Sequence, residues 1–135
     1  MTTTTPRFKV IGFSCLLLIL TIASAHNGAS RAPLATVSET RCGWFSNPTP
    51  ANASLYDREA EWIIGVQGGH QADGDWPDFK AGQWVKTNRD YGYGCACMRV
   101  QTNSKTHEVS MIESGQARPL SACRQDAALK RWGFK

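Results

Sequence analysis

The chain has 135 residues, a formal net charge of +4, five cysteines and 41% hydrophobic residues, enough for one domain around one core and too little for two. Arg7 and Lys9 lie in an N-terminal leader; once it is removed, thirteen of the fifteen Lys and Arg remain and exceed the eleven Asp and Glu by two. So small a surplus, with no block of consecutive basic residues, gives no electrostatic basis for nucleic acid as a partner.

Residues 1–25, MTTTTPRFKVIGFSCLLLILTIASA, predict that leader: two cations, an apolar run from Val10 to Ile22, then Ala23-Ser24-Ala25, the small-x-small pattern of signal-peptidase sites. The run falls short of the about 20 apolar residues that a membrane span requires, and no second such run follows, so no membrane association is expected after cleavage. An uncleaved anchor is the alternative. Cys15 sits within the run behind Gly12-Phe13-Ser14 instead of closing it after small residues, which argues against lipid attachment. Residues 26–40, HNGASRAPLATVSET, are small, polar and aperiodic and read as a tether, with a single domain over residues 41–132.

Within that domain SLYDREAEWIIGVQGG is ambiguous, because Ala and Glu favour helix while Trp62, Ile63, Ile64 and Val66 favour strand. The stop at Gly68-Gly69 points to a hairpin with DREAE as its turn. Three further strands are predicted over residues 83–87, 93–101 and 106–114, the last two joined around Asn103-Ser104. Alternation in CACMRV puts Cys95, Cys97 and Arg99 on one face and Ala96, Met98 and Val100 on the other. LSACRQDAALKRW predicts a C-terminal helix, capped by Ser121 and ended by Gly133. Its cations Lys130, Arg131 and Lys135 suit a solvated helix end. The fold class expected is mainly β: a small disulfide-stapled antiparallel sheet or sandwich with a short C-terminal helix.

Four cysteines remain after the leader: Cys42, Cys95, Cys97 and Cys123. An even number in an exported chain predicts two disulfides. Direct bonding of Cys95 to Cys97 is strained in a strand, where side chains two apart diverge on one face. Either Cys42–Cys97 with Cys95–Cys123 or the reverse pairing remains. A zinc clamp would want two cysteine pairs, each with a spacer of two to four residues, where this chain has one pair and a single-residue spacer. A redox thiol would want a helix N-terminus or a cation beside it, and YGYG and MRVQ read as strand.

GGHQADGDWPDF brings His70, Asp73, Asp75 and Asp78 within nine residues, the richest candidate for metal binding or acid–base chemistry. It lacks the oxygen alternation and closing Glu of a calcium loop, and its glycines and Pro77 mark a connecting loop in which Asp serves turn formation. No nucleophile elbow, paired metal-binding histidines or phosphate-cradling glycine motif is present, so no enzyme activity and no cofactor are expected. The aromatic residues are dense. Trp62 and Trp84 are assigned to the core, and Trp44, Phe45, Trp76, Phe79, Tyr91 and Tyr93 are candidates for a binding surface, since Trp and Tyr recur at interface hot spots and stack on sugars.

RCGWFSNPTPANASLYD, EWIIGVQGG, GDWPDF, QWVKTN, YGYGCACM and PLSACRQD together resemble a family of small exported proteobacterial proteins classed as a domain of unknown function, over about residues 41–130. The resemblance implies a periplasmic setting, in which the sequon at Asn52 carries no glycan, and it implies no activity. The function expected is a secreted, non-enzymatic binding module that captures a protein, as an inhibitor or immunity factor does, or a cell-wall-derived ligand. The alternative is a small metal-dependent hydrolase centred on His70, Asp73, Asp75 and Asp78.

Overall fold

The structure is a computed structural model that describes residues 1–2 and 37–135; the rest of the leader, and the tether as far as residue 36, lie outside the described residues. Six strands follow one another: β1 (Ser38–Thr49), β2 (Asn52–Tyr56), β3 (Glu61–Gly65), β4 (Trp84–Asn88), β5 (Tyr91–Asn103) and β6 (Glu108–Arg118). The hairpin reading of residues 54–69 holds, with the turn at residues 57–60. Strand β1 begins at Ser38, so the last three residues expected in the tether belong to the domain. Ser38, Glu39 and Thr40 pair with Gln101, Val100 and Arg99 of β5, and that ladder orders a segment whose composition alone reads as loop.

The sheet runs β1-β2-β3-β6-β5-β4, and β1 pairs again with β5, so five of the strands form a closed ring with β4 appended to β5. All pairings are antiparallel except β3–β6, which touch in parallel at Ile63 and Glu108. Leaving out β4, this connectivity is shared with five-stranded OB-type Greek-key barrels. Closure removes most free edges, and the remaining edge strand, β4, is five residues long and carries Lys86.

Alternation makes the interior. Phe45 of β1, Leu55 of β2, Trp62 and Ile64 of β3, Ala96, Met98 and Val100 of β5, and Val109 and Ile112 of β6 form one buried cluster. The wall between β3 and β6 is thin, and the loop over residues 66–83 seals it. Ala72 N donates to Ile64 O at 2.8 Å, Asp73 N to Ser110 O at 3.0 Å and Ile112 N to Asp73 O at 2.7 Å. Trp76, Phe79 and Trp84 then pack on Phe45, with ring centroids 5.6, 5.7 and 6.3 Å away. Trp62 is core as expected, and Trp84 packs on the core while half-buried. Gly94 is required here, because a Cβ would stand 2.3 Å from the Phe79 ring. The close approach comes from this loop.

A second, smaller cluster lies outside the barrel. Outward-facing Trp44 and Cys95 are covered by Cys123 and Leu129, with Tyr56, Tyr93, Leu120, Trp132 and Phe134 around them. The covering segment is not one capped helix. Helix α1 spans Leu120–Gln125 and follows Pro119, with no side-chain cap, and Ser121 lies inside it. Asp126 ends α1, and its carboxylate accepts from Ala128 N at 3.0 Å to start a separate 3-10 helix, Ala127–Trp132, which Gly133 stops at φ 74°. The short Asp side chain competes for the backbone where a continuous helix would need it elsewhere.

Three hairpin turns use a left-handed residue that is not glycine: Ala51 between β1 and β2 (φ 57°), Arg89 between β4 and β5 (φ 53°) and His107 between β5 and β6 (φ 55°). Glycine meets no Cβ penalty there, and the relief exceeds its extra chain entropy. Ala51→Gly and Arg89→Gly should each raise stability by about 0.5–1 kcal/mol in urea unfolding. A loss in both would show that the turns hold no strain.

Candidate functional site

The expected aromatic surface separates into two structural groups. Trp44 and Phe45, neighbours in β1, are 1% and 2% exposed and point to opposite faces, one under the C-terminal segment and one into the barrel. Neither belongs to a surface: a strand covered on both sides buries both of its alternating sets. Tyr93 packs 5.5 Å from Trp44 and 4.9 Å from Phe134, and its hydroxyl donates to Lys135 O at 2.8 Å. Trp76 and Phe79 are half-buried in the seal over Phe45, and half-buried Tyr91 opens β5 opposite Asn88.

Nor do the loop's titratable groups share a focus. His70 Nε2 donates to Val109 O at 2.7 Å, which ties the loop to β6. Asp73 is held through its backbone, while the Asp75 and Asp78 side chains are exposed. Among the described residues no group of three or more His, Cys, Asp or Glu side chains converges as a ligand set.

A concavity of about 410 Å³ lies where β1 meets the β2–β3 turn and is lined by Glu39, Arg41, Cys42, Asp57, Arg58, Glu59 and Asp126 among others. Its centre is Arg41, 9% exposed and engaged on every side. Nε and Nη2 donate to the two oxygens of Glu39 at 2.8 and 2.9 Å, and Nη1 donates to Asp57 at 2.6 Å and Glu59 at 3.1 Å. The guanidinium carbon lies 3.6 Å from the Trp62 ring centroid. Asp57, 5% exposed, is equally committed. One oxygen accepts the amides of Glu59 and Ala60 and the other accepts Arg41 and Trp62 Nε1. With its ions mutually satisfied, this cluster plugs the end of the barrel and leaves no unpaired group for a ligand. The signal for it in sequence is the alternation in SETRCGWF, which places Glu39 and Arg41 on the face of buried Phe45.

Burial raises the Glu39 carboxyl, but hydrogen bonds from Thr102 and Arg41 outweigh it and hold the group below its ordinary value of 4.5. A depressed carboxyl stabilises the fold above its unfolded pKa, and that contribution disappears as pH falls through the folded value. Stability should therefore decline below about pH 4.5, and Glu39→Gln should flatten part of that decline when urea midpoints are followed from neutral pH to about pH 3. Identical slopes for the two proteins would contradict it. Glu113, Asp90 and Asp126, also lowered by their hydrogen bonds, contribute to what remains.

A second concavity, about 260 Å³, crosses the outer face of β1, β2 and β3 and is lined by Ser46, Asn52, Ser54, Tyr56, Glu61, Ile63 and Val66 among others. Register builds it, since Ser46 stands opposite Ser54, Ser54 opposite Ile63 and Tyr56 opposite Glu61. Ser54 Oγ donates to Glu61 at 2.9 Å. Burial, followed by the neighbouring Glu61, pushes the Tyr56 hydroxyl up to about 12, which keeps it a neutral donor at all ordinary pH. Val66, 44% exposed, adds an apolar edge, and no cation lines the groove. Sequence reasoning missed these residues, although Asn52, Ser54 and Tyr56 alternate outward in NASLY.

Fold and groove together define a small, disulfide-stapled β-barrel module with a hydroxyl-lined external groove. The chain belongs to the family described as Protein of unknown function (DUF4087), whose model matches residues 36–130. No curated protein and no solved structure shows significant similarity to it.

Proposed function

We propose that the protein is a non-enzymatic binding module of the bacterial periplasm that captures a cell-wall-derived glycan or peptide chain in the groove over β1, β2 and β3. The observation that carries this reading is the groove's chemistry on that face: the Ser46, Ser54 and Tyr56 hydroxyls, the Asn52 amide and the Glu61 carboxylate beside Ile63 and Val66, with no cation for a phosphate backbone. Hydroxyls and one carboxylate against an apolar edge suit a neutral polyol or amide chain. The corresponding face of OB-type barrels carries oligosaccharides and oligonucleotides, an analogy of architecture alone. The two disulfides fit an oxidising compartment.

The test is a titration of the 15N-labelled protein with soluble peptidoglycan fragments, followed by amide shifts. Shifts should centre on Ser46, Ser54, Glu61 and Val66, and Glu61→Ala should weaken binding by about tenfold, the loss of one hydrogen bond to a charged group. Shifts confined to residues 70–79, or release of cleaved fragments, would overturn the reading in favour of the His70 and aspartate loop. An absence of shifts would overturn the choice of ligand.

A further inference from the structure

The two disulfides differ in where they sit. Cys95–Cys123 joins residues that are each 3% exposed, within the cluster under Leu129 and Trp44. Cys42–Cys97 links directly opposed residues of β1 and β5 on the outer face of the barrel; Cys42 is exposed and Cys97 half-buried. Cys42 also lines the 410 Å³ cleft. An attacking thiolate must reach a sulfur, so access selects which bridge exchanges.

We infer that Cys42–Cys97 is a site of thiol–disulfide exchange with a dithiol reductant, and that Cys95–Cys123 is not. One thiolate of the dithiol attacks Cys42 Sγ through the cleft, forms a mixed disulfide and expels Cys97 as a thiolate, which takes a proton from solvent. The second thiolate of the dithiol then attacks its own bridged sulfur and releases Cys42, which is protonated in turn. Two electrons and two protons pass from the dithiol, which ends as a disulfide, to the protein, which ends with two thiols. The barrel keeps its closure, because β1 and β5 remain paired from Ser38–Gln101 to Asn47–Gly92 by backbone hydrogen bonds that need no sulfur. The product is a folded module carrying a reactive thiol pair beside its cleft.

The experiment treats the folded, oxidised protein with dithiothreitol under native conditions, traps thiols by alkylation at intervals and maps them by peptide mass. Cys42 and Cys97 should be modified at least about a hundredfold faster than Cys95 and Cys123, which require local opening first. The amide spectrum of the doubly reduced protein should stay that of a folded barrel. Equal rates, earlier modification of Cys123, or loss of the folded spectrum on modification of Cys42 would each overturn the inference. Cys42→Ser/Cys97→Ser provides the control: its remaining bridge should resist the same treatment, and rapid reduction there would show that the exposed bridge itself protects the buried one.

Discussion

Arg41→Ala should lower the unfolding free energy by about 3–5 kcal/mol, the cost of leaving a buried partner charge uncompensated. The charge left behind is that of Asp57, which is 5% exposed and would keep only its amide and indole donors. The guanidinium also stacks on Trp62, so Arg41→Lys, which supplies charge without the planar fork, should recover only part of the loss. Asp57→Asn placed on Arg41→Ala should return some stability by removing the stranded charge while preserving an acceptor for Glu59 and Ala60. Urea midpoints of the four proteins test this. A loss below about 1 kcal/mol for Arg41→Ala would mean that the plug behaves as a solvated surface pair.

Cys95→Ala/Cys123→Ala should cost about 3.6 kcal/mol on the chain-entropy estimate for the 28-residue separation it closes. The loss should also be local. Residues beyond Pro119 meet the barrel through the small cluster around Trp44 and through a few polar contacts, notably Trp132 Nε1 to Asp57 O at 2.7 Å and Arg58 to Asp126 at 2.9 Å. Without the bridge the terminal segment should open on its own, seen as fast exchange of the Trp132 indole proton and as proteolytic cleavage after Arg124 while the barrel amides stay protected. Retained protection at Trp132 would show that the aromatic contacts suffice without sulfur.

Much of the local structure is legible in the chain because it follows from side-chain size and alternation. The β5 pattern is read correctly residue by residue: Ala96, Met98 and Val100 face the core, while Cys95, Cys97 and Arg99 face outward. The hairpin at residues 54–69 is legible because Gly68 and Gly69 end a run of β-branched and aromatic residues. The short C-terminal helix is present as expected, but its extent misleads, since the preference of Asp126 for its own local backbone outweighs the helix propensity of Ala127 and Ala128. Trp44 and Phe45 mislead for another reason. Adjacent strand residues face opposite ways, and only the covering of the outer face by residues 120–134 buries both.

The sequence by itself determined the mainly β character, the two bridges as a class, the inward set of β5 and the family, because each rests on residue type and short-range spacing. Which cysteines pair, that Glu39, Arg41 and Asp57 form the barrel's plug, and that Ser46, Ser54 and Glu61 share a groove were decided only by tertiary structure. Cys42 meets Cys97 because β1 and β5 close the ring at that register, 55 residues apart in the chain. Closure of a barrel is a property of all its strands together, so no local pattern carries it.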